Sequence, residues 1–195
     1  MSDLKQDGML VKLGEEGPLE ENKEMRISLQ LARGRLYDIL ARAFAYPWNR
    51  KFFRPKKLLE PMDVILVDEN DWESLRVIIK GLGEYFPRMA VKQVQSEYVR
   101  VFGHAVSQEC PPYEMQYGTE GGVNSQTDVL VQVGGFYDTF GFQIPEKGPT
   151  RDRIDHISIE MQFMSFCCYR EAYGIEHDHE ERQISVIRSG QKKFI

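Results

Sequence analysis

Three groups of residues have the types from which chemistry is built. The first is Cys110-Pro111-Pro112-Tyr113-Glu114, a thiol, two prolines, an aromatic ring and a carboxylate side by side. A nucleophilic cysteine needs a base and a means of lowering its pKa, and His104 is the one histidine near it in sequence. The prolines hold the segment extended and confine Cys110 to β or polyproline geometry, which equally suits a thiol packed as a small hydrophobe. Cys110 therefore reads as a bystander, and Tyr113 and Glu114 as the residues of interest. The second group is His177-Asp178-His179-Glu180. Its histidines stand at i and i+2 and face apart on a helix, unlike the i, i+4 pair of a helical zinc site, so a solvated polar turn is the simpler reading. The third is Asp155, His156 and Glu160. His156 and Glu160 are four apart and meet on one helical face of a segment that is apolar nearly all round. Ionisable groups there need partners, so a satisfied interior network and a functional site both stay open.

These groups need a scaffold, and composition bounds it. The 195 residues suffice for one domain with a substantial core, and 42% hydrophobic with 28% charged residues excludes a disordered chain. No apolar run approaches the ~20 residues of a membrane span, so no stable membrane insertion is expected. The acidic start, MSDLKQDGMLVKLGEEGPLEEN, has no apolar block behind a basic end and is not a secretory signal, which predicts a cytoplasmic protein. Three cysteines, two of them adjacent at Cys167 and Cys168, do not form a disulfide framework. A net charge of −5 speaks against nucleic acid as a partner.

The first 21 residues read as a flexible arm, and 22–195 as one helical domain. From Met25 the apolar positions recur at helical spacing through Leu29, Leu36, Ile39, Leu40 and Phe44, until Pro47 ends the pattern. A short helix broken at Pro61 follows, then one capped by Asp71 that closes before Pro87. Residues 87–103 form another, with Val91, Val94, Tyr98, Val101 and Phe102 on one side and Gly103 as its stop. A long ordered loop spans about 104–126; so many residues without periodicity inside a compact domain mark it as functional. Val129, Val133, Phe136, Tyr137 and Phe140 make the next helical stripe, closed by Gly141. Gly134 and Gly135 within it suggest a close approach by another backbone. Asp152 can cap a central helix, with Asp155 in its first turn, and 176–195 reads as a last one. Strand signals are nearly absent, so the fold class is all-α.

Four pieces, EYVRVFG (97–103), CPPYE (110–114), GGFYDTFGF (134–142) and DRIDHISIEMQFM (152–164), resemble in order and spacing the TorD/DmsD/NarJ family of redox-enzyme maturation chaperones. The likeness runs over 35–195 and is greatest to chaperones serving nitrate-reductase-like, type II members of the DMSO reductase family. It implies a single-domain helical bundle, here lacking the last helices, that is not an enzyme and carries no cofactor. It would bind the apo catalytic subunit of a molybdenum-cofactor oxidoreductase and its twin-arginine leader, assisting cofactor insertion and delaying export. The family's Tyr-x-x-Leu-Phe element falls on Tyr98, Val101 and Phe102. Its Glu-Pro-x-Asp-His element falls on the RIDH segment, matching at Asp155 and His156, with Arg153 and Ile154 standing where Glu and Pro are common. The early end of the last helix would leave an apolar face for a homodimer formed by helix exchange.

A leader that is basic at one end and apolar next to it needs carboxylates beside a hydrophobic groove. The expected contacts are Tyr98, Phe102, Tyr113, Glu114, Tyr117, Asp155, His156 and Glu160, with no catalytic, cofactor or metal residue. Two other classes fit the same sequence. One is a metal-dependent helical hydrolase using His156, Glu160, His177 and His179, though no nucleophile, phosphate loop or full ligand set accompanies them. The other is a structural helical interaction protein.

Overall fold

The computed structural model describes residues 18–48, 89–103, 110–117, 123–144 and 152–194, with the single positions 77, 80, 81 and 84. Among these lie five α-helices: α1 (Pro18–Phe44), α2 (Val91–Phe102), α3 (Val123–Phe140), α4 (Ile157–Glu176) and α5 (Glu181–Phe194). No strand occurs among the described residues, and the class is all-α, as the periodicity predicts. Val77, Lys80, Gly81 and Glu84 are helical, in keeping with the segment expected after Asp71. Most of the arm, the Pro61 segment and His104 lie outside the described residues.

Helix α4 is the centre. Ile159, Phe163, Met164, Cys167, Cys168, Ala172 and Ile175 are all buried on it, so that its faces are covered by α1, α3 and α5 together. Helix α1 packs along α4: the Ser165 hydroxyl donates to the Gly34 carbonyl at 2.9 Å, and the Tyr169 ring lies 3.0 Å from where a Cβ on Gly34 would stand. Helix α5 docks through a buried polar clasp. Glu171, with no exposed surface, accepts from Arg188 Nε at 3.0 Å and Gln191 Nε2 at 2.8 Å.

Helix α3 stops as its glycine predicts. Gly141 takes φ 68°, its N–H donates to the Asp138 carbonyl at 3.1 Å, and Phe142 N–H reaches back to the Tyr137 carbonyl at 2.8 Å. This is the paired bonding of a Schellman end, closed by the Tyr137–Phe142 ring contact at 5.0 Å. The close approach expected at Gly134 and Gly135 is elsewhere. A Cβ at Gly134 would meet Ile154 at an ordinary 3.5 Å and one at Gly135 would meet nothing within 4 Å among the described residues, whereas one at Gly190 would lie 2.1 Å from Phe140.

The start of α4 also differs from expectation. The helix begins at Ile157, with His156 rather than Asp152 as its N-cap. His156 Nδ1 accepts the Ser158 N–H at 3.1 Å, and the Pro112 carbonyl accepts the Ile157 N–H at 2.9 Å, so two orphan donors of the first turn are satisfied without Asp152. That leaves the Asp152 carboxylate free for other work.

Candidate functional site

The CPPYE segment finds its place at this helix start. The prolines keep it extended, and Tyr113 forms an isolated antiparallel bridge with His156, through Ile157 N–H to the Pro112 carbonyl and Glu114 N–H to the Asp155 carbonyl at 3.0 Å. A short 3-10 turn, Glu114–Gln116, follows. From the other side the Tyr137 phenol donates to the Ile154 carbonyl at 2.9 Å. Two separate stretches of sequence are thereby held against the N-terminus of α4.

The two elements that carry the resemblance, one around Tyr98 and one at Asp155-His156, meet here. Tyr98, from α2, lies with its hydroxyl 3.3 Å from His156 Nε2 and donates to the Phe44 carbonyl at 3.1 Å, capping the end of α1. Because Nδ1 of His156 accepts a backbone N–H, it carries no proton; Nε2 carries it and donates to the Tyr98 oxygen. Burial pushes the His156 pKa below its ordinary value against the opposing pull of Asp152 and Asp155, in agreement with a neutral ring. Burial likewise holds the Tyr98 phenol above its ordinary range, so it stays a donor.

Around this joint opens a cleft of about 380 Å³. Tyr46, Trp48, Tyr98, Phe102 and Tyr113 form its aromatic wall, with Asp152, Arg153 and His156 as its polar groups. The rings support one another: Tyr46 lies 4.8 Å from Trp48 and 5.3 Å from Tyr98, and Tyr98 lies 4.7 Å from Phe102. Asp152 Oδ2 is buried and has no hydrogen-bond partner among the described residues. A carboxylate in that state costs free energy unless a donor reaches it, and aromatic faces attract cations.

Of the residues expected from sequence, Tyr98, Phe102, Tyr113 and His156 stand together on this cleft. Asp155 is beside it but fully buried and paired with Arg153, Nη2 to Oδ2 at 2.7 Å. Tyr117 is 65% exposed. Glu114 and Glu160 form a separate pair. Glu160 Oε1 is buried without a hydrogen-bond partner among the described residues, and burial, followed by the neighbouring Glu114 charge, raises its pKa from 4.5 to about 8. Its place in the first turn of α4 favours the charged form, but desolvation wins.

A consequence is measurable. Between pH 4.5 and 8 the folded chain holds a proton on Glu160 that the unfolded chain has lost, so stability falls as pH rises through that window. The limiting slope is about 1.4 kcal/mol per pH unit. Glu160→Gln is expected to flatten the urea midpoint above pH 6.5, where His156 no longer opposes the trend; an unchanged slope in the variant would contradict this.

Asp152, Tyr46 and Trp48 were not among the residues singled out for the site. The sequence carries a signal for Asp152: counted over five residues, Glu-Pro-x-Asp-His places Asp152 at the Glu position and Arg153 at that of Pro, not Arg153 and Ile154. Tyr46 and Trp48, flanking Pro47, carry no local pattern that marks them; only the end of α1 beside α2 brings them in.

The metal-enzyme alternative does not assemble. His156 caps one end of the 20-residue α4 and His177 the other, roughly 30 Å apart by helical rise. Among the described residues no group of three or more His, Cys, Asp or Glu is arranged to hold a metal ion. Cys167 and Cys168 are buried, with thiol pKa values pushed up by desolvation to about 12 and about 11, and Cys110 is exposed. No described helix is long and apolar enough to cross a membrane.

The described residues form an all-helical fold with an aromatic cleft that carries a carboxylate. Residues 68–195 match the family model described as nitrate reductase delta subunit, and the chain belongs to this family of redox-enzyme maturation chaperones, which are not enzymes. It is similar to the perchlorate reductase assembly chaperone protein of Dechloromonas aromatica (strain RCB), 26% identical over 179 residues that cover 87% of this chain and 74% of the relative. No solved structure matches.

Proposed function

We propose that this protein is a cytoplasmic chaperone that holds the apo catalytic subunit of a molybdenum-cofactor oxidoreductase, assists insertion of the cofactor, and delays export by binding the subunit's twin-arginine leader. The family and the assembly role in the relative's name support a redox-enzyme client. The observation that carries the leader in particular is Asp152 Oδ2, buried and without a partner in the wall of an aromatic cleft. An arginine of the leader supplies the missing donor, and its apolar run lies on Tyr98, Phe102 and Tyr113. The buried rings supply most of the affinity, and the ion pair sets specificity and encounter rate. Glu114 and Tyr117, on the segment beside the cleft, extend the surface offered to the client, and Glu160, at the start of α4, holds its proton and backs Glu114.

Calorimetry with a synthetic leader tests this reading. Asp152→Asn combined with Tyr113→Ala is expected to weaken binding by about 2–3 kcal/mol, roughly 30- to 150-fold. Unchanged affinity in a folded double variant would remove the cleft from the site.

A further inference from the structure

Asp155 differs from Asp152 in one respect that bears on what the cleft can read. Asp155 is 0% exposed and both its oxygens are used: Arg153 Nε donates to Oδ1 at 3.0 Å, and Arg153 Nη2 to Oδ2 at 2.7 Å, where Met115 N–H also donates at 3.3 Å. The same guanidinium lies 4.8 Å from the centre of the Tyr113 ring, and its Nη2 is 3.2 Å from Met115 Sδ. A planar carboxylate fork, an aromatic plate and a polarizable sulfur around one guanidinium make up a complete receptor for an arginine side chain. Here the chain fills it from within.

We infer that Arg153 is an internal ligand occupying one guanidinium socket, so that the cleft reads a single cation of an incoming basic segment, at Asp152, instead of a pair of arginines. The inference rests on the cleft being a receptor for such a segment. Arg153 is two residues from Asp155, so its local concentration at the socket far exceeds that of any peptide in solution, and an arriving arginine does not displace it. Asp152, whose Oδ2 has no donor of its own, is left as the reader. A partner therefore gains from one arginine at this cleft and gains little from the second.

Two measurements test this. In thermal denaturation, Arg153→Ala is expected to lower the midpoint, and millimolar methylguanidinium to restore it while methylammonium does not; the unaltered chain responds to neither. Equal effects of the two cations, or no effect of either on the variant, would overturn the socket. Arg153→Gln serves if the alanine variant does not fold. In calorimetry, leader peptides with each arginine changed singly to glutamine are compared. For the unaltered chain one change is expected to cost about tenfold and the other less than twofold, while for the Arg153 variant both cost. Equal losses in the unaltered chain would overturn the single-cation reading. Failure of the parent leader to bind at all would instead bring down the receptor reading and this consequence with it, and methylguanidinium refilling would still decide the socket by itself.

Discussion

Replacing Phe163 with alanine is expected to lower the free energy of unfolding by about 3–5 kcal/mol. Phe163 has no exposed surface, and its ring is met by five others: Phe194 at 4.6 Å, Tyr137 at 5.0 Å, Phe142 at 5.6 Å, Phe140 at 5.8 Å and Phe136 at 6.5 Å. Those rings come from α3, the turn after it, and α5, so the side chain is the point at which three elements meet α4. Truncation forfeits the transfer energy of the ring and leaves a cavity that rigid aromatic neighbours cannot close. Domains of this size have only about 5–15 kcal/mol to lose, and the variant stands near the edge of folding. Urea denaturation should show a lowered midpoint at unchanged slope; a loss below about 1 kcal/mol would mean that the ring cluster is not the core described here.

The second large effect belongs to His156. Alanine there is expected to cost about 3 kcal/mol, from a lost helix cap of about 1 kcal/mol and a cavity at a side chain only 1% exposed. Asparagine restores the cap to Ser158 N–H but does not reach Tyr98, so it should recover part of the stability and leave the cleft's wall unanchored. A stable His156→Asn chain with weakened leader binding is the outcome that separates the two roles. The protonation sign is also fixed by geometry. A proton on Nδ1 would face the Ser158 N–H that it now accepts, so His156 is neutral in the folded state. With its folded pKa lowered by burial, its contribution is present above pH 6.5 and lost as pH falls below it. His156→Asn should therefore be less sensitive to acid in that range than the unaltered chain, and identical acid sensitivity would contradict the neutral assignment.

Much of this was legible in the chain itself. The apolar stripes placed α1, α2, α3 and the central α4, and Gly103 and Gly141, both at positive φ, ended helices where the sequence says they do. Those features are local, set by periodicity and by glycine's freedom at one residue. What was not legible depends on partners far apart in sequence. Asp152 reads as the best cap near α4, yet the helix is started by His156 together with the Pro112 carbonyl, which arrives from 45 residues away. Gly190 looks ordinary until Phe140 is seen against it. Asp155 looks available for a ligand until Arg153 is folded over it. The site shows the same division: Tyr98 and His156 were each marked by motif, but their contact, and the aromatic cleft it holds open, exist only once α1, α2 and α4 are assembled.

The proposed activity is recognition of a molybdoenzyme catalytic subunit before its cofactor is in place. Its most direct test is co-purification of the tagged chain with such a subunit, co-expressed once in cells able to make the molybdenum cofactor and once in cells that are not. The subunit should co-elute from the cofactor-deficient cells, be largely absent from the eluate of the others, and be lost with Asp152→Asn combined with Tyr113→Ala. Equal recovery of loaded and empty subunit, or recovery of neither, would contradict the account.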